Sequence, residues 1–152
     1  MAPRKVPERK DIAAENRWDL SPLFDTEETW EALFAETEVD LDGYDKFRGK
    51  VGESAQTLKA AIEFDLTVSR KLERLYTFAH LKSDEDKSKD RYQGLLQRVV
   101  GLHTRAAERS SFITPEIHRI PDEAMEGYLA EESLKPYRFF LQKIRRTKPH
   151  TH

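Results

Sequence analysis

Cysteine is absent from this chain of 152 residues. Its absence excludes disulfides, a thiolate nucleophile and a cysteine-based zinc site, and it fits a reducing cytoplasm. Glycine is scarce, at 6 residues. No Asn-Gly or Asp-Gly hairpin signal stands between alternating apolar runs, and Asp42-Gly43 lies among residues at helical spacing instead. Long apolar runs are also missing. Nothing approaches the ~20 residues of a membrane span, so no membrane partner is expected. Val6 is the only large aliphatic residue before Ile12, which leaves no core for a secretory signal. Glu8, Asp11 and Glu15 argue against a mitochondrial presequence. Net charge is small, −2 from 26 Lys+Arg and 28 Asp+Glu, so the chain has no global attraction to nucleic acid and no nucleic-acid partner is expected. What is plentiful is charge of both signs, 36% of residues against roughly 25% in an ordinary soluble domain. The length suffices to bury a core.

Helical periods organise the rest. Asp25 can cap a first helix, with Glu28 completing a capping-box pattern. Trp30, Leu33, Phe34, Leu41 and Tyr44 then recur on one face until Gly49 and Gly52 interrupt them. Ser54 opens a second helix, where Leu58, Ala61, Ile62, Asp65, Leu66, Ser69, Leu72, Leu75, Tyr76 and Ala79 keep the i, i+3, i+4 rule for about seven turns. The polar stretch 83–86 reads as a reversing loop. A third helix spans about 88–110, with Tyr92, Leu95, Leu96, Val99, Leu102 and Ala106 as its stripe. Gly94 and Gly101 inside it suggest close approach by a neighbouring helix. Shorter pieces follow. Pro115 marks the first position of one helix, Pro121 restarts another, and a last helix carries Leu134, Tyr137, Phe140, Leu141 and Ile144 until Pro149 ends it. The pattern predicts an all-α fold, an antiparallel helical bundle of long helical hairpins with a C-terminal extension of shorter helices. Residues 1–17 are expected to form a flexible or extended lead-in.

The charge is unevenly spread. Nine acidic and no basic residues lie between Asp25 and Asp45, whereas six basic and no acidic residues lie between Lys135 and Lys148. Either these blocks are solvated faces, or one of them meets another charged surface in this chain or in a partner.

No catalytic constellation is legible. His80, His103, His118, His150 and His152 include no i, i+4 pair and no H-E-x-x-H. The segment Asp40–Asp45 superficially suggests a calcium loop, but its glycine comes too early and Val51 stands where the twelfth-position Glu belongs. Ser110 and Ser111 have no adjacent base. No phosphate-cradling glycine motif occurs, and Glu131-Glu132 would need a dry cleft to act as acid and base. No catalytic, cofactor-binding or metal-ligating residue is therefore assigned in this chain.

Several blocks carry a family resemblance. The run Asn16-Arg17-Trp18-Asp19-Leu20-Ser21-Pro22-Leu23-Phe24, with Trp30 a short way into a helix, resembles the opening of oligoendopeptidase F proteins, zinc metallopeptidases of the thimet oligopeptidase type. Further matching blocks are 73–86 (Glu73-Arg74-Leu75-Tyr76 onward), Ser111-Phe112-Ile113-Thr114-Pro115-Glu116-Ile117, Leu134-Lys135-Pro136-Tyr137 and Arg145-Arg146-Thr147-Lys148-Pro149-His150-Thr151. They stand in family order and cover about residues 16–151.

The resemblance implies an N-terminal helical domain, residues 18–148, forming part of the wall of a substrate channel. Family members are several times longer, and their zinc site, with H-E-x-x-H and a downstream glutamate, lies in a C-terminal domain. Zinc is thus expected in a catalytic domain outside this sequence, and 149–152 reads as the start of the linker to it. Where the family continues with leucine after Pro149-His150-Thr151, this chain has His152 and stops. A shortened chain, an incomplete gene product or a terminal artefact would each give that end. The implied partners are the protein's own C-terminal catalytic domain and, for the full-length enzyme, oligopeptide substrates. The competing reading is a free-standing helical interaction module without peptidase activity, docking a partner helix on the long second stripe.

Overall fold

Ser54 does what its position predicts. In a computed structural model, which describes residues 12–13, 15, 19–85 and 90–147, its Oγ accepts the Thr57 backbone N–H at 3.0 Å, and its carbonyl accepts the Leu58 N–H at 3.0 Å. Helix α2 (Ala55–Glu85) starts there and runs 31 residues. Before it come α1 (Glu27–Asp40) and a 3-10 segment (Leu41–Lys46). After it come α3 (Asp90–Ser110), α4 (Ile113–Arg119), α5 (Asp122–Ala130), a second 3-10 segment (Glu132–Tyr137) and α6 (Arg138–Arg146). The fold is all-α, with no strand among the described residues.

Several boundaries differ from expectation for local reasons. The cap of α1 is Thr26, not Asp25. The Thr29 N–H donates to Thr26 Oγ1 and the Thr26 N–H donates to Thr29 Oγ1, each at 3.3 Å, so two threonines form the reciprocal box. Glu28 falls at the second helical position, where its own backbone N–H and the Thr26 hydroxyl hold its carboxyl below the usual range. Ser83, Asp84 and Glu85 are helical rather than loop. No glycine or proline stops the helix there, and buried Ser83 accepts a 2.7 Å hydrogen bond from Gln93 Nε2 of α3. Asp86, and Ser88 at the expected start of α3, lie outside the described residues.

Pro115 occupies the third position of α4, not the first. The first four helical N–H groups have no intrahelical partner, so its missing donor is tolerated there too. The expected last helix is divided in two. Pro136 lies within the 3-10 segment, and a continuous α-helix would set its ring against the carbonyl four residues back. Pro149 lies outside the described residues, as do residues 1–11, which hold most of the expected lead-in. Gly94 and Gly101 do not receive a neighbouring helix, since a Cβ at either would meet nothing within 4 Å.

The chain forms two compact units, and α2 and α3 contribute to both. The first comprises residues up to 38 and 70–104. Its centre is Trp30, fully buried, stacked on Phe34 at 5.2 Å and donating Nε1–H to the Leu75 carbonyl at 3.0 Å. Phe24 meets Phe78 edge-on at 5.3 Å, and Arg74 covers Phe24 while donating to the Leu23 carbonyl at 2.6 Å. Leu72, Leu95, Val99 and Leu102 complete this core.

The second unit comprises 39–69 and 105–152. Its core joins Tyr44, Val51, Leu58 and Ile62 with Ile117, Met125, Leu134 and Leu141. Helix α4 meets α6, where His118 Nε2 lies 2.9 Å from the Ile144 carbonyl oxygen. The loop before α2 is held close. Tyr128 donates its hydroxyl to the Gly52 carbonyl at 2.9 Å, and a Cβ at Gly52 would fall 2.8 Å from Ile120 Cγ1. Gly49 has φ +77°, a left-handed conformation suited to glycine.

These environments predict opposite effects for one methyl group. Gly52→Ala should destabilise the protein by about 1–3 kcal/mol, because buried Ile120 must move. Gly94→Ala, in an open helix interior, should stabilise it by about 1 kcal/mol. Urea unfolding midpoints of the two variants check both signs.

Candidate functional site

The acidic block finds its counter-charges on α2 and α3, within each unit. In the first unit Glu27 pairs with Arg91, Glu36 Oε1 meets Lys71 Nζ at 2.6 Å, and Glu31 takes a two-pronged contact from Arg98 at 2.5 and 2.8 Å. The Arg98 guanidinium also lies 4.5 Å over the Phe34 ring and 5.3 Å over Trp30. The Arg98 hydrogen bond holds the Glu31 carboxyl below its ordinary value, and the same bond raises Arg98. In the second unit Arg109 bridges Asp42 at 3.2 Å and Asp45 at 3.3 Å. Of the alternatives open for this block, the pairs realise an intramolecular one, but the basic partners come from 71–109 rather than from 135–148.

The basic block is largely engaged nearby. Lys135 pairs with Glu132 at 3.0 Å and Arg145 with Asp122 at 3.3 Å. Arg138 donates to the Leu129 carbonyl at 2.7 Å, an acceptor exposed at the end of α5. Lys143 and Arg146 make no ion pair among the described residues.

The strongest acid–base candidates are committed to scaffolding. Glu116 accepts the Gly49 N–H on Oε1 at 2.7 Å and the Val51 N–H on Oε2 at 3.2 Å. Both carboxylate oxygens therefore fix the loop before α2. An open cleft of about 320 Å³ borders Glu116, Gly49, Gly52, Arg119 and Pro121, and it holds no convergent pair of acid and base. Tyr44, buried, donates to Asp65 Oδ1 at 2.7 Å. Burial, reinforced by that hydrogen bond, pushes its phenol well above the usual value, so it remains a protonated donor.

The histidines are dispersed. His80 Nδ1 meets Asp84 at 3.2 Å one turn along α2, His103 is exposed on α3, and His118 contacts the Ile144 carbonyl. His150 and His152 lie outside the described residues. Among the described residues, no three His, Cys, Asp or Glu side chains stand together as a metal ion would require. These residues do not fit the zinc that the resemblance implies. Ser110 and Ser111 each donate to a carbonyl in the last turn of α3, at 3.4 and 2.8 Å. Glu131 accepts from Ser133 at 3.4 Å, while Glu132 pairs with Lys135. Nothing brings these serines or glutamates into a reacting group.

Comparison with known proteins gives one answer throughout. Residues 116–151 match a family model described as oligopeptidase F. The chain is 33% identical to the oligopeptidase PepF of Bacillus subtilis over 147 residues, which is 96% of this chain and 22% of that protein. It is 32% identical to the group B oligopeptidase PepB of Streptococcus agalactiae, over 93% of this chain and 24% of that protein. The crystal structure of oligoendopeptidase-F from Enterococcus faecium superposes with a TM-score of 0.75 at 31% identity, covering 83% of this chain and 24% of that one. A candidate peptidase from Chlamydophila abortus superposes with a TM-score of 0.82 at 27% identity, over 97% and 25%. The chain thus spans about a quarter of the length of the curated relatives it matches.

The Glu31–Arg98 pair generates a pH prediction. The folded-state pKa of Glu31 is depressed from 4.5, so its contribution is present above that value and disappears as pH falls through the folded pKa. Both side chains are more than a third exposed, which limits the effect to about 0.5 kcal/mol. Glu31→Gln should lower stability by that amount at pH 7, and the gap to the parent should close in acid. Urea midpoints measured from pH 7 down to pH 3 check it.

Proposed function

We propose that this chain, whose sequence and fold are those of an oligoendopeptidase F N-terminal domain, forms part of the substrate-channel wall of a cytoplasmic zinc metalloendopeptidase that hydrolyses oligopeptides. In this reading it does no chemistry itself. The supporting observation is an asymmetry of coverage: 96% of this chain matches only 22% of the Bacillus subtilis oligopeptidase. The remaining three quarters or so of such a protein is room for the metal site and the reacting groups. Zinc would there polarise the scissile carbonyl and activate water.

The helical domain contributes shape. A wall built from long, tightly held helices limits the width of the channel, so a short unfolded peptide enters and a folded protein does not. Selection by length and chemistry at the metal are then separate duties of separate parts. No helix among the described residues is long and apolar enough to cross a membrane.

Two measurements test the proposal. The purified chain should fold as helix yet cleave no quenched-fluorescence oligopeptide and bind no stoichiometric zinc. Installed in place of the matched stretch of the Bacillus subtilis oligopeptidase, it should support peptide cleavage that a chelator abolishes. Chelator-sensitive cleavage by the isolated chain would falsify the proposal.

A further inference from the structure

Helix α6 presents an aromatic face outward. Phe139 is 77% exposed and Phe140 43%, although Leu141 and Ile144 of the same helix are buried. At 100° per residue, Phe139, Lys143 and Arg146 lie on one side and Phe140 at its edge. The inward side of α6 already has its core, so no rotation buries the phenylalanines without exposing Leu141 and Ile144. The other basic residues of the helix are engaged, Arg138 with carbonyls and Arg145 with Asp122. Among the described residues Lys143 and Arg146 make no ion pair, and no acidic residue lies between Lys135 and Lys148 to offset them. The face is therefore aromatic and of one charge sign.

We propose that this face, Phe139 and Phe140 flanked by Lys143 and Arg146, docks an apolar surface rimmed by carboxylates on the polypeptide that accompanies this domain in the longer oligopeptidases. The inference rests on the domain reading above. Three observations favour that occupant. The oligopeptidase F match covers 116–151 and so includes all of α6. The relatives carry about three times as much further chain as is matched. A second copy of the same face would bring Lys143 and Arg146 against like charges, which disfavours self-association. Aromatic anchors with a charged rim are what a specific protein interface uses, the aromatics supplying the buried centre and the rim the register.

Hydroxyl-radical footprinting tests the surface in two proteins, this chain alone and the full-length chimera on the Bacillus subtilis oligopeptidase. Phe139 and Phe140 should be oxidised freely in the chain and at least fivefold more slowly in the chimera. Phe139→Ser should leave the melting temperature of the isolated chain unchanged and lower that of the chimera by several degrees. Lys143→Glu with Arg146→Glu should weaken the chimera in the same direction.

Equal oxidation in both proteins would overturn the proposal. So would protection in the isolated chain that grows with its concentration, which would mark a second copy as the occupant. A loss of melting temperature in the isolated serine variant would overturn it too, by showing that the face belongs to the domain's own core. Peptidase activity read in parallel separates the two readings: an active chimera without protection removes the docking surface alone, whereas a folded, protected and inactive chimera counts against the domain reading. Where that chimera does not fold by circular dichroism, the Streptococcus agalactiae oligopeptidase supplies the second scaffold.

Discussion

One helix has to carry two cores. The N-terminal part of α2 supplies Leu58, Ala61 and Ile62 to one compact unit, and its C-terminal part supplies Leu72, Leu75, Phe78 and Ala79 to the other. A 31-residue helix is about 46 Å long, and residues four apart drift round its axis, so its apolar stripe must be renewed at each turn. The polar residues near that stripe are therefore few and serve fixed purposes. Asp65 receives Tyr44, and the Leu75 carbonyl receives the Trp30 indole. In both cases a large aromatic ring enters a core with its one polar atom already matched, which avoids the penalty of a buried, unmade hydrogen bond.

The charged residues follow a different logic from the core. The acidic run through α1 and the following 3-10 segment would repel itself if left alone. Its counter-ions are Lys71 on α2 and, about two and three helical turns apart on α3, Arg91, Arg98 and Arg109. Individually such exposed pairs contribute little. Arg98 does more because its guanidinium covers Phe34 and Trp30 while its fork engages Glu31. It closes the edge of the core and positions the acidic helix at once, a combination that lysine could not reproduce with a point charge.

Periodicity made much of this legible in advance. The helix class, the Ser54 cap, the restart after Pro121 and most of the stripes of α2 and α3 follow from residues within a few turns of one another. Ser69 and Tyr76, expected on the α2 stripe, are however exposed, and Val68 and Phe78, not expected there, are buried. Errors arose where neighbouring residues offered equivalent local chemistry. Asp25 and Thr26 are both good caps, and only the reciprocal partner at Thr29 selects the second. Ser83 reads as a loop residue until Gln93 is known to face it. Contacts across large sequence separations left no trace at all. Nothing in a local window links Glu116 to Gly49, Glu31 to Arg98 or Phe139 to solvent. The candidate site was legible only as a missing set of ligands, together with ordered blocks of family resemblance.

The groups that would be attractive as catalysts are used as fasteners. Glu116 holds two backbone donors, Tyr44 holds Asp65, and His118 meets a carbonyl at the end of α6. Each would lose its structural partner if it turned to bind substrate. A general base must reach the proton it removes, and both carboxylate oxygens of Glu116 are already held by backbone N–H groups. The same bonds that fix these helices and loops therefore hold the side chains to their structural partners. Rigidity and reactivity compete for the same side chains, and the hydrogen bonds of Glu116, Tyr44 and His118 serve rigidity.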